Sequence, residues 1–303
     1  LGANTEGIGN TAVGSASLDA NTVGDNNVAI GVSALTANTT GNNNIAVGNS
    51  SLNANTTAAR SVAIGEQALE KSNADDNVAV GYQALEETTS GTDNASVGNF
   101  SLANNTTGSQ NVALGRSALV SNTTADDNTG IGYQALKANT TGTENVAVGT
   151  DALDANTTGG KNIAVGKEAL GANTTGDRNV AIGTNTLDAN TTANDNTGVG
   201  HSALSANTTG TQNVAVGTNT LLLNTTGSQN VAVGYLALDA NTTADNNTAV
   251  GYQALDQNTT GHSNTAMGSQ AMDGNQTGDS NTAIGYLAMY ENTSADNNTA
   301  VGR

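Results

Sequence analysis

The chain has 303 residues, 26 of them Asp or Glu and 8 Lys or Arg, for a formal net charge of −18. So acidic a surface repels phosphate backbones and anionic lipid headgroups, and its few scattered cations form no basic patch, which excludes nucleic acid and anionic membranes as partners. One Phe and no Cys, Trp or Pro exclude aromatic-centred cores, disulfides and thiolate metal sites, while leaving the compartment open.

From the N-terminus onward the chain repeats itself. An apolar-Gly pair recurs at Gly14, Gly31, Gly48, Gly65, Gly81, Gly98, Gly115, Gly132, Gly149, Gly166, Gly183, Gly200, Gly217, Gly234, Gly251, Gly268, Gly285 and Gly302. Successive anchors lie 17 residues apart, except for 16 between Gly65 and Gly81. The spacing predicts one array over residues 1–303, about 17 units with no second domain, in the columnar order of a solenoid. The array opens in Leu1-Gly2-Ala3 and stops on Ala300-Val301-Gly302-Arg303 without a visible cap. A first residue other than Met, with nothing resembling a signal peptide, reads as a mature or truncated piece of a longer fibre. The longest run of large aliphatic residues, Leu221 to Leu223, is far too short to cross a membrane.

Each unit carries its strand just before the anchor. Asn145-Val146-Ala147-Val148-Gly149 is representative: a β-branched residue, a small one and a second large aliphatic alternate with the period of a strand. That alternation predicts a parallel β-strand in every coil, with the large pair on one face and Ala on the other. Four residues after each anchor stands Leu, or Met at Met272 and Met289, as a second inward column. The expected core is therefore a stack of Val/Ile and Leu ladders, leaving the small column (Ala12, Ala29, Ala46, Ala63, Ala79) for close approach of another chain. Asn stands four before the anchor in every unit except at Ser61, which suits an amide ladder along the axis. Coils stacked about 4.8 Å apart would make a rod of roughly 80 Å.

A second polar column follows the Leu. Asn-Thr-Thr begins at Asn38, Asn55, Asn105, Asn122, Asn139, Asn156, Asn173, Asn190, Asn207, Asn224, Asn241 and Asn258. Each triplet is formally an N-glycosylation acceptor. The competing reading is a turn in which Asn and Thr satisfy local backbone groups.

Ser61-Val62-Ala63-Ile64-Gly65 with Gln67-Ala68-Leu69, and Asn27-Val28-Ala29-Ile30-Gly31 with Ser33-Ala34, resemble the head repeats of trimeric autotransporter adhesins. The longer unit, Asn247-Thr248-Ala249-Val250-Gly251-Tyr252-Gln253-Ala254-Leu255 with Asn258-Thr259-Thr260-Gly261, is similar to repeats of bacteriophage tail fibres and related surface fibres. The resemblance covers nearly the whole chain. It implies an all-β fold, a left-handed parallel β-roll, three chains side by side, and service as an adhesive head or fibre shaft. The adhesin-head unit is typically shorter than this one, so the Asn-Thr-Thr-Gly turn is an enlargement, and no anchor, coiled-coil stalk or neck is present in the segment.

A longer period is superposed. The turn Gly becomes Ala, followed by acidic or amide residues, at Ala74-Asp75-Asp76, Ala125-Asp126-Asp127, Ala193-Asn194-Asp195, Ala244-Asp245 and Ala295-Asp296. The first four are followed after the next anchor by Tyr82, Tyr133, His201 and Tyr252. This reads either as duplication of a three-coil block or as a lateral contact built from Tyr and acids.

Catalytic chemistry is absent from the pattern, and no enzyme is expected. His201 and His262 are single substitutions in repeat columns, Gly130-Ile131-Gly132 and Gly198-Val199-Gly200 lack the third Gly of a dinucleotide fingerprint, and no Ser occupies a nucleophile elbow. No cofactor is expected beyond weak Ca²⁺ candidates at Asp75, Asp76, Asp126, Asp127 and Asp195, whose spacing does not match the nonapeptide calcium repeat. Three functions fit: a self-associating structural or adhesive fibre at the cell surface, with itself and a host-surface or glycan receptor as partners; a virion tail-fibre shaft; and an ice- or glycan-binding solenoid. The last is the weakest, because adjacent Thr39 and Thr40 point to opposite faces of an extended chain.

Overall fold

The computed structural model describes residues 1–303. Its regular structure is β only: eighteen three-residue strands, one per repeat, from β1 (Thr11–Val13) to β18 (Thr299–Val301). The chain forms two compact units, Leu1–Ala147 and Val148–Arg303, and both are wound from the same coil. The first contains β1 to β8 (Thr129–Ile131), the second β10 (Ile163–Val165) to β18, and the division falls inside β9 (Val146–Val148).

Within each unit consecutive strands pair in parallel, and the pairing register is the repeat itself. Val28 lies opposite Ile45 and Ile45 opposite Val62 in the first unit, and Val214 lies opposite Val231 in the second. In the short repeat β4 (Val62–Ile64) pairs with β5 (Val78–Val80) one residue earlier, so the deletion is absorbed outside the strands. The fold is thus an all-β parallel β-solenoid with 17-residue spacing, as the columns predict.

The strand faces are reversed from the expectation. The central Ala of each strand is enclosed (Ala29, Ala63, Ala147 and Ala181 are all 0 % exposed), whereas its large neighbours face outward, with Ile64 and Ile182 each 41 % exposed. Lumen width decides this. A Cβ added at Gly130, which holds the central position of its strand, would lie 3.3 Å from Leu119 Cγ of the preceding coil. Leu already fills the lumen, and only a small residue fits against it. The core is therefore Leu and Ala, backed by Asn, and the Ala column offers no surface to another chain.

Asn side chains hold the coils in register. Asn44 N–H donates to Asn27 Oδ1 at 2.9 Å and its Nδ2 donates to the Ala58 carbonyl at 2.8 Å. Asn38 Nδ2 donates to Asn21 Oδ1 at 2.8 Å and to the Gly41 carbonyl at 3.1 Å. These contacts recur coil after coil, so buried amides are paired along the axis as well as within each turn.

Tight coils demand unusual backbone. The anchor glycines have φ between 126° and 142°. At Gly98 an added Cβ would come within 2.5 Å of the Gly115 carbonyl oxygen, so the glycine is required by φ and by close approach together. The core leucines also take positive φ, as at Leu35 (53°) and Leu204 (54°), which side chains of this bulk rarely do.

Candidate functional surface

Because Ala turns inward, each strand sends two side chains outward, and the stacking aligns them in two parallel ladders. In the first unit Ile30, Ile64, Val97 and Leu114 stand in one ladder and Ile45, Val78 and Val112 in the other, all exposed. In the second unit Ile182, Val216, Val233, Met267 and Ile284 continue the pattern, while Thr248, Thr265, Thr282 and Thr299 replace the aliphatic partner in the last strands. An aliphatic residue alone on a surface is ordinary; a ruled ladder of them is a contiguous patch.

Beside this face runs the column that follows each anchor, and most aromatics sit there. Tyr235 stacks on Tyr252 of the next coil with ring centroids 5.7 Å apart and planes 15° apart. Tyr82 meets Phe100 edge-on at 5.2 Å. Tyr133 is exposed, as is His201, whose Nδ1 lies 3.1 Å from Ser202 Oγ. His262 belongs to another column, where its Nδ1 accepts the Asp245 N–H at 2.9 Å. The two histidines do not meet.

Four of the five calcium candidates, Asp75, Asp76, Asp126 and Asp195, are held by partners of their own. Arg60 reaches Asp76 Oδ1 at 2.6 Å and Asp75 Oδ2 at 3.3 Å. Its hydrogen bond holds the Asp76 carboxyl below the usual range, and Arg178 does the same to Asp195 at 2.6 Å. Asp126 Oδ1 accepts the Ser109 N–H at 2.7 Å, and Asp127 is exposed on a backbone with φ 60°. Among the described residues no three His, Asp or Glu side chains converge on a common point. Nor is any helix long and apolar enough to cross a membrane.

The Asn-Thr-Thr asparagines are all interior. Asn38, Asn55, Asn105, Asn122, Asn139, Asn156, Asn173, Asn190, Asn207, Asn224, Asn241 and Asn258 are 0 % exposed. A sugar on Nδ2 would require that nitrogen to leave the ladder and the turn carbonyl it caps, as at Asn207 with Asn190 Oδ1 at 3.1 Å and the Gly210 carbonyl at 2.9 Å. The geometry matches the turn reading of these residues. The hydroxyl of the first threonine is engaged as well, as where Thr208 Oγ1 donates to the Thr225 carbonyl at 3.0 Å.

Sequence reasoning assigned the aliphatic pair to the core and so missed the outward ladders. Their signal was present in the regularity of the column but not in its direction. Comparison with protein-family models and with characterised proteins returns no match to this chain.

Proposed function

We propose that the chain is a structural or adhesive extracellular fibre segment, a stiff solenoid shaft that associates with further copies of itself through the outward aliphatic ladders. The supporting observation is that ladder. Two half-exposed aliphatic side chains give roughly 100 Å² of apolar surface per coil. Eight coils then approach the ~800 Å² that one partner contributes to a standard interface. A second copy suits it because the face is periodic: two identical ladders mesh at every coil, whereas an unrelated partner would have to reproduce the same spacing. Left-handed winding and packing as a trimer, implied by the resemblance to adhesin heads, belong to this reading. So does its surface localisation.

Sedimentation of the intact chain tests it. The wild type is expected to sediment as a discrete oligomer, and a Leu114→Glu, Ile182→Glu double variant as a monomer with an unchanged far-ultraviolet spectrum. A wild type that stays monomeric across the concentration range would overturn the reading.

A further inference from the structure

Immediately after the core Leu or Met, the next column carries carboxyls in three successive coils: Asp239, Asp256 and Asp273, each five residues past its anchor. Leu222 occupies the same position in the coil before and Tyr290 in the coil after. Backbone bonds clamp these coils together: Ala240 N–H donates to the Asp256 carbonyl at 3.0 Å, Gln257 N–H to the Asp273 carbonyl at 3.1 Å, and Gly274 N–H to the Tyr290 carbonyl at 3.0 Å. The backbones of the three residues therefore stack at the coil spacing of about 4.8 Å, and the Asp239 and Asp273 carboxyls act electrostatically on that of Asp256.

Their surroundings supply almost nothing to balance three charges. Asp273 is only 5 % exposed, and Oδ1 of Asp273 and Oδ1 of Asp239 are enclosed without a hydrogen-bond partner. Asp256 receives a single long bond from Gln253 Nε2 at 3.4 Å. The groups facing the stack are the three carboxyls themselves, the Gln253 and Gln257 amides, and the Tyr290 phenol. No Lys or Arg occurs anywhere between Arg178 and Arg303. Earlier in the same column Asp188 is provided for, since Ser205 Oγ donates to its Oδ1 at 2.6 Å. An enclosed carboxylate oxygen with neither donor nor cation lacks one simple thing, a proton.

We propose that the Asp239, Asp256 and Asp273 stack is a proton-binding switch, which keeps these coils tightly closed while protonated and loosens them locally when it ionises. Its chemistry is that of like charges held a coil apart in a poorly solvated column. Burial, reinforced by the charges of Asp239 and Asp273, pushes the Asp256 carboxyl up to about 6. Burial also raises Asp239 and Asp273, against a smaller opposing pull on Asp273 from Tyr290 and Gln257. Because the folded state binds the protons more tightly than the unfolded chain, the stabilisation is complete below the ordinary carboxylate range near 4 and is lost as pH rises through about 6. That sign is opposite to ordinary acid unfolding. The device acts within the coils and is independent of how copies of the chain associate.

Hydrogen exchange of the intact chain, corrected for the intrinsic pH dependence of exchange, provides the test. Amides of Ala240, Gln257 and Gly274 are compared with Ala37, which makes the equivalent bond to the Asn53 carbonyl at 3.2 Å between coils that carry Thr36 and Asn53 where the aspartates stand. From pH 4.5 to pH 7.5 protection at the three sites should fall by about tenfold or more, as expected for at least one pKa unit of linkage, while Ala37 stays level. Asp256→Asn alone, and the triple Asn variant, should flatten that fall, since stacked Asn is already a feature of this fold. An equal response at Ala37, or a fall that survives in both variants, overturns the proposal.

Discussion

Single side chains in this protein stand in for backbone. In ordinary coils a Thr carbonyl accepts from the coil before, as Thr56 O does from Thr39 N–H at 2.8 Å and Thr40 N–H at 3.3 Å. The short repeat has lost that Thr pair, and Asn73 replaces it: its Oδ1 accepts the N–H groups of Thr56 and Thr57, both at 3.0 Å, and the Thr56 hydroxyl at 3.1 Å. One amide oxygen thus repairs a one-residue deletion. Asn73→Ala should destabilise the surrounding coils by about 1–2 kcal/mol, since the freed N–H groups can reach water at the surface. Asn73→Asp, which keeps the acceptor, should cost much less, and urea unfolding of the two variants separates these outcomes. The Asn ladders and anchor glycines were legible in the sequence because only those residue types suit those positions. The positive φ of the core leucines was not, because burial selects the side chain there and nothing in its identity reports the backbone beneath it.

At the level of the strand, alternation identifies which residues share a face, but not which face turns inward. Val62, Ala63 and Ile64 satisfy the period of two in either orientation. The choice depends on the opposite wall, where Leu69 and its stacked counterparts fill the lumen. A coil of this length closes over one large aliphatic side chain and otherwise small or amide ones, such as Leu69 with Ala63 and Ala68. The general preference for large aliphatic residues inside yields to that limit. Ala181→Val, which adds two methyl groups to an enclosed site, should destabilise by about 1–3 kcal/mol. Ile182→Thr at the adjoining outward site should leave the stability of a single chain within about 0.5 kcal/mol. Thermal unfolding of the two variants under dilute conditions compares the two faces directly, and the opposite ranking would restore the Val/Ile core.

For the whole molecule, repetition is the mechanism. Each coil is too small to hold its own core, and it is completed by the ladders of its neighbours. Within each unit the same repetition rules an aliphatic face along the outside, and the chain's net charge of −18 disfavours indiscriminate aggregation. Self-association through that face is consequently expected to be specific and in register with the coils. The repeat, the parallel strands and the turn columns were all readable from residue spacing alone. The outward aliphatic face was not, since it depended on the direction of one face of the strand.

Ile64 and its column face outward, while Ala63 and its column face the lumen; the proposed association of copies would cover the outward column. The chain has no cysteine, so single thiols report on each position without background. The decisive measurement is the rate at which a maleimide reacts with Ile64→Cys and Ala63→Cys over a range of protein concentration. Ile64→Cys should react readily in dilute protein and slow as the protein assembles, with Ala63→Cys nearly inert throughout. A fast Ala63→Cys beside an inert Ile64→Cys would contradict the account.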